Sequence, residues 1–180
     1  MGEGFGLKLL QDSVQRERGH RPMHLRLALP EDREAIMALI DSVYREYGDR
    51  LYPEGADSDL LDIETHYFKA GGVFIVLDDA GVTRGTHAVL PVAERPGVCY
   101  FHRLYLDAAL RGGGWGSRLM DWAIDWARAH GMHRVAFWSD VRFTRAHAFF
   151  ARFGFQPDGR VRDMDNGAMP YQEYFFALDL

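Results

Sequence analysis

Leu104-Tyr105-Leu106-Asp107-Ala108-Ala109-Leu110-Arg111-Gly112-Gly113-Gly114-Trp115-Gly116-Ser117 reads as an apolar strand, a short link and a run of glycines that opens a helix. The first amides of a helix have no partners within it and point outward, and the helix dipole adds partial positive charge at the same end. Such a turn suits an anion. Glycine lets the backbone come close to a bulky diphosphate and adopt turns that a Cβ forbids, and Arg111 offers a planar cationic fork. Two nucleotide motifs fail here. A P-loop needs Lys and then Ser or Thr after its last glycine, whereas Gly116 is followed by Ser117-Arg118. The dinucleotide fingerprint G-x-G-x-x-G begun at Gly112 needs a glycine at 117, which is serine.

Downstream of this stretch, Trp115, Leu119, Trp122, Ala123 and Trp126 predict the inward stripe of a long helix stopped by Gly131. A short strand at Arg134–Ser139, a helix at Thr144–Phe153 ended by Gly154, and a final strand at Tyr171–Leu180 follow, with an extra short strand at Phe155–Arg162 left open. Upstream, His24–Leu29 reads as a strand. Pro30-Glu31-Asp32 starts a helix carrying Ile36, Leu39, Ile40, Val43, Tyr44 and Tyr47 at helical spacing, and Gly48 ends it. A loop precedes a second helical segment at Asp59–Ala70, with Leu60, Ile63 and Tyr67 on one side. Val73–Leu77 and Val82–Val92 form a hairpin, and Val98–Leu106 is the next strand. Hairpins among the middle strands and helical crossovers among the later ones predict an α/β (α+β) fold, a mixed, mostly antiparallel central sheet flanked by helices.

Residues 1–22 are weakly patterned and read as an N-terminal extension, leaving 23–180 as one domain. The chain has 180 residues, 47% of them apolar, enough to fill a core of its own. A formal charge of −5, with lysine only at Lys8 and Lys69, argues against nucleic acid. No apolar run reaches the roughly 18 residues of a membrane span. One cysteine, Cys99, excludes a disulfide framework and suits a reducing, cytoplasmic setting. His130 and His133 straddle a helix end without a third ligand, so no metal is expected.

Arg111, Gly114 and Gly116 match Q/R-x-x-G-x-G/A, and the segment resembles the acetyl-coenzyme A signature of the GNAT acetyltransferase superfamily. Ala146 to Phe155 is similar to the family's second coenzyme-binding helix and the Gly-Phe after it, and the likeness spans about Met23 to Leu180. It implies a GNAT-like fold and transfer of an acetyl group from acetyl-CoA to an amine, small molecule or peptide, by direct attack. It also implies coenzyme contacts from Leu104, Tyr105, Leu106, Arg111, Gly112, Gly113, Gly114, Trp115, Gly116, Ser117, Thr144, His147 and Phe150. A homodimer is left open.

The sequence departs from the family pattern at its catalytic positions. Tyr100 stands where many relatives carry a glutamate base; alternation puts Tyr100, His102 and Leu104 on one strand face, and His102 has the pKa range suited to taking a proton. Phe150 replaces the tyrosine acid and Phe143 the usual asparagine, so a hydroxyl such as Thr144 or Ser139, or water, would serve the leaving thiolate. The acceptor is expected between the first two helices and the facing strands, near Glu46, Tyr47, Tyr52, Asp59, Glu64 and Tyr67. These losses motivate an alternative, a catalytically weak or inactive acyl-CoA-binding sensor.

Overall fold

The structure, a computed structural model, describes residues 22–166 and 170–180; the expected extension lies almost wholly outside them. Seven strands form one sheet: β1 (His24–Leu27), β2 (Val73–Asp79), β3 (Val82–Pro91), β4 (Val98–Leu106), β5 (Arg134–Asp140), β6 (Gln156–Asp165) and β7 (Pro170–Asp179). Their spatial order is β1-β2-β3-β4-β5-β7-β6, with every pair antiparallel except β4 and β5. Three α-helices cover the faces: α1 (Arg33–Arg45), α2 (Trp115–Ala129) and α3 (Thr144–Arg152).

The two faces hold separate cores. Ile36 and Ile40 of α1 pack with Leu60, Tyr67, Phe74, Val76 and Ala88 on one side. On the other, Leu119, Met120, Ala123 and Ala127 of α2 and Phe150 of α3 pack on Cys99, Phe101, Val135, Phe137 and Phe176. The tryptophans expected within the inward α2 stripe lie at its margins: Trp122 and Trp126 are half-buried against the core, and Trp115 lies under the Arg118 guanidinium at 4.4 Å. The small side chains Ala123 and Ala127 let the helix approach the sheet, and the bulky indoles fill its margins.

Two other expectations are corrected. The helix read at Asp59–Ala70 is broken into a 3₁₀ turn at Ser58–Leu61 and a π turn at Glu64–Phe68. Asp62 breaks it, with φ −143° and its carboxylate accepting the Thr65 N–H at 2.9 Å, a local bond that competes with helix continuation. The optional short strand near 155–162 is the ten-residue β6, nearly all exposed at the sheet edge. With no buried face it carries no hydrophobic alternation to read, and Pro157 and the register shift between Pro157 and Val161 blunt the edge.

Two positions in this frame, Gly72 and His87, bear directly on stability. A Cβ on Gly72 would sit 2.3 Å from the Val89 carbonyl oxygen. Gly72→Ala therefore lowers the unfolding free energy by about 1–3 kcal/mol, read by urea denaturation. His87 is buried, its Nδ1 is 3.1 Å from the Leu119 carbonyl, and its Nε2 has no partner among the described residues. Burial pushes its pKa down to about 4. The unfolded imidazole binds its proton near pH 6.5, so this contribution to stability is complete above that pH and is lost as pH falls toward 4. His87→Asn, which keeps a donor for Leu119, flattens that acid-side loss in unfolding measured from pH 7 to 4.

Candidate functional site

The glycine stretch forms the turn that the sequence implies, and Asp107 organises its approach. Its carboxylate accepts the Ala109 N–H at 2.9 Å and an Arg84 N–H at 2.6 Å, setting a 3₁₀ turn over Ala108–Leu110. Gly112 (φ 82°) and Gly114 (φ 84°) then take the left-handed conformation, with Gly114 capping α2. Gly113 N–H bonds Leu110 and Arg118 N–H bonds Gly114. The amides of Gly112, Gly114, Trp115, Gly116 and Ser117 have no backbone acceptor among the described residues. Gly116 packs where a Cβ would meet Phe149 of α3 at 3.6 Å and Leu106 at 3.8 Å. Five free amides at a dipole's positive end fit a diphosphate.

Arg111 does not offer a free charge at this turn. Its guanidinium grips both oxygens of Glu46 at 2.5 and 2.7 Å and donates to the Leu106 carbonyl. Glu46 is thus a tie between the end of α1 and the turn, and its carboxylate sits below the usual range because of that hydrogen bond.

Next to the turn the sheet forks. β4 and β5 pair only over Val98–Tyr100 and Arg134–Ala136, although β4 runs on to Leu106 and β5 to Asp140. β4 also bulges: Ala88 faces His102 but Thr86 faces Tyr105, so one extra residue enters β4. Arg103 takes the strain with φ 55°, its carbonyl held by the Thr86 hydroxyl at 2.7 Å. The bulge corrects the expected alternation. Tyr100 and His102 face the α1 side, where His102 lies 6.2 Å from both the Tyr67 and Tyr100 rings. Leu104 falls on the opposite face with Phe101 and Leu106, and Tyr105 turns toward α1, its hydroxyl donating to Tyr44 at 3.0 Å.

A cavity of about 440 Å³ opens at the fork. It takes in Tyr100, His102, Leu104, Tyr105, Phe150, Tyr47, Asp59 and Tyr67 of the expected residues, but not Glu46, Tyr52 or Glu64. Glu46 is held by Arg111, and Tyr52 lies against Arg50. His147 stands behind the wall, bonded to Ser139, and Thr144 begins α3.

Sequence reading missed the charged pairs that line this space. Arg103 reaches Asp57 at 2.7 Å and bonds both oxygens of Asp59, one of which also accepts the Tyr67 hydroxyl at 2.5 Å. Arg142 binds Asp140 at 2.6 Å and Asp49 at 2.9 Å, and Arg162 binds Glu173 at 2.5 Å. The partners are up to 93 residues apart, and no local pattern announces them. Burial works to raise the Asp59 carboxyl, but the Arg103 charge and the hydrogen bonds prevail and hold it below the usual range. His102 is pushed down to about 4 by burial and then by the Arg103 charge. Its ring is therefore neutral at pH 7, a hydrogen-bonding group facing the cavity.

Known proteins resemble this chain in sequence and in fold. YjgM of Escherichia coli (strain K12), an uncharacterized N-acetyltransferase, is 28% identical over 139 residues, 75% of this chain and 82% of that protein. Among solved structures, an acetyltransferase from Streptococcus agalactiae 2603 superposes with a TM-score of 0.76 at 17% identity, covering 89% of this chain and 99% of that one. yncA of Salmonella typhimurium, solved with its cofactor acetyl-CoA, superposes with a TM-score of 0.67 at 20% identity, covering 88% and 94%. The model of the acetyltransferase (GNAT) family matches residues 35–155, and the chain belongs to that family.

Proposed function

We propose that this protein binds acetyl-CoA at the Gly112–Ser117 turn and transfers the acetyl group to an amine entering from the α1 side. One observation carries the reading: β4, whose Leu104 and Tyr105 line the cavity past its last pairing with β5, runs on into the turn that holds five unpaired amides. Bound there, acetyl-CoA supplies an activated acyl carbon. The amides at 112–117 and the dipole of α2 would hold the diphosphate, and Leu104, Leu106 and Phe150 would give the arm an apolar passage. Past Tyr100 the edge of β4 has no β5 partner, and its outward N–H groups would be available to a developing oxyanion.

On the acceptor side, the neutral His102 ring accepts an amine N–H, with Tyr100 beside it and Tyr47 and Tyr67 as walls. A pKa near 4 makes His102 a weak sink for a full proton, so its part is to orient the nucleophile and assist its deprotonation. The buried thiol of Cys99, pushed up to about 12 by its surroundings, takes no part and is compatible with a reducing cytoplasm. A sensor without turnover is the second reading, favoured by one observation: Phe150, which lines the cavity from α3, has no proton to give.

Thiol release from acetyl-CoA across a panel of amines separates the two readings; turnover with one amine supports the enzyme, and coenzyme binding without any turnover supports the sensor. Gly114→Val tests the turn. A β-branched residue at φ 84° is strained, but nothing lies within 4 Å of the added Cβ, so the domain still folds while coenzyme affinity falls at least about tenfold by calorimetry, one lost charge-assisted contact being worth that much. Unchanged affinity would remove the turn from the site. His102→Ala lowers kcat by about a hundredfold. Because the imidazole is already neutral well below pH 6, that loss is uniform from pH 6 to 9 in the rate profile.

A further inference from the structure

A hydroxyl and an imidazole meet on the coenzyme side of the fork, and the reaction described above leaves them unused. β5 parts from β4 after Ala136, so Ser139 stands three residues past the branch point. Its register with β7, Ser139 opposite Tyr174 and Phe137 opposite Phe176, turns both side chains to the face that α3 covers. There Ser139 Oγ lies 3.2 Å from His147 Nε2, and the backbone carbonyl of Asp140 faces the same ring. Ser139 is buried from bulk solvent yet borders the cavity. Around it on this face, Phe101, Leu104, Met120, Phe137 and Phe150 have no polar hydrogen to donate, and the His87 Nδ1 is engaged with the Leu119 carbonyl.

We propose that the Ser139 hydroxyl donates a hydrogen bond to the coenzyme sulfur as it departs, with His147 as the positioning residue behind it. The proposal rests on the coenzyme reading of the fork. As the C–N bond forms and the C–S bond breaks, the bonding pair stays on sulfur. In its Nε2–H tautomer His147 donates to the Ser139 oxygen and fixes it, which leaves the hydroxyl hydrogen to point at that sulfur. The amine nitrogen releases one proton to water on the His102 side and the sulfur afterwards takes one from water, so the protons balance and no further reactant is required. This contact supplies from β5 what Phe150 cannot supply from α3. The titratable and charged groups around the pair are Asp140 on β5, its carboxylate engaged by Arg142, and Tyr174 on β7, its ring 5.8 Å from His147; Phe150 and Phe176 bring no charge.

Titration of CoA bound to the full chain, followed by the ultraviolet absorbance of its thiolate, reads this contact without any acceptor amine. Cys99 is the chain's single cysteine, and its thiol, at about 12, stays silent while CoA ionises. The bound thiol is expected to be a stronger acid than free CoA. Ser139→Ala makes it about tenfold weaker than in the native complex, the low end for a hydrogen bond to a charged group. Ser139→Thr restores the hydroxyl and the native value, and His147→Phe, which keeps bulk and removes the anchor, gives an intermediate one. Identical thiol titrations in native and Ser139→Ala complexes, with CoA still bound, overturn the proposal. Failure of the native chain to bind CoA at all overturns the coenzyme reading, and the proposal with it.

Discussion

A guanidinium buried between two aspartates governs the shape of the cavity. Arg103 sits at the bulge of β4 with φ 55°, a conformation that non-glycine residues avoid, and its side chain is held by Asp57 and Asp59 from the irregular segment after α1. Neither element would keep its form alone. The loop has no helix to stiffen it, and the bulge stores backbone strain that the surrounding contacts must offset. Because removing one partner from a buried ion pair costs about 3–5 kcal/mol, far more than the net worth of the pair, the arrangement is self-locking. Burial is the main cause of the low His102 pKa; the Arg103 charge adds to it and Asp59 opposes it.

The site is assembled from three mismatches in an otherwise regular sheet. The parallel pair β4–β5 ends early, which opens the fork; the extra residue in β4 reverses which side chains face it; and the left-handed glycines leave helix amides unpaired at its mouth. Each is a defect in hydrogen bonding that would be unfavourable in a scaffold and is useful in a binding site. Around them the cavity is charged but internally balanced, with Arg103, Arg142 and Arg162 each committed to carboxylates. What the cavity offers beyond these pairs is shape and aromatic surface.

Arg111 matches the signature in sequence, yet in this chain its guanidinium is spent on Glu46 and joins the glycine turn to the end of α1. Glu46, expected near the acceptor, is occupied on the other side of the fork for the same reason.

What the sequence by itself determined were the features carried by neighbours along the chain: the α1 and α2 stripes, the β2–β3 hairpin, the strand into Leu106 and the glycine turn capping α2, because local spacing and backbone freedom decide them. The tertiary structure alone decided what depends on partners far apart. The β4 bulge that separates Leu104 from His102 follows from pairing with β3, the Asp57 and Asp59 carboxylates are drawn to Arg103 across more than forty residues, and β6 exists because β7 offers it an edge. Contacts of this kind have no period in sequence. Their energy appears only when the chain has brought a strand, a loop or a counter-charge from tens of residues away and excluded water between them.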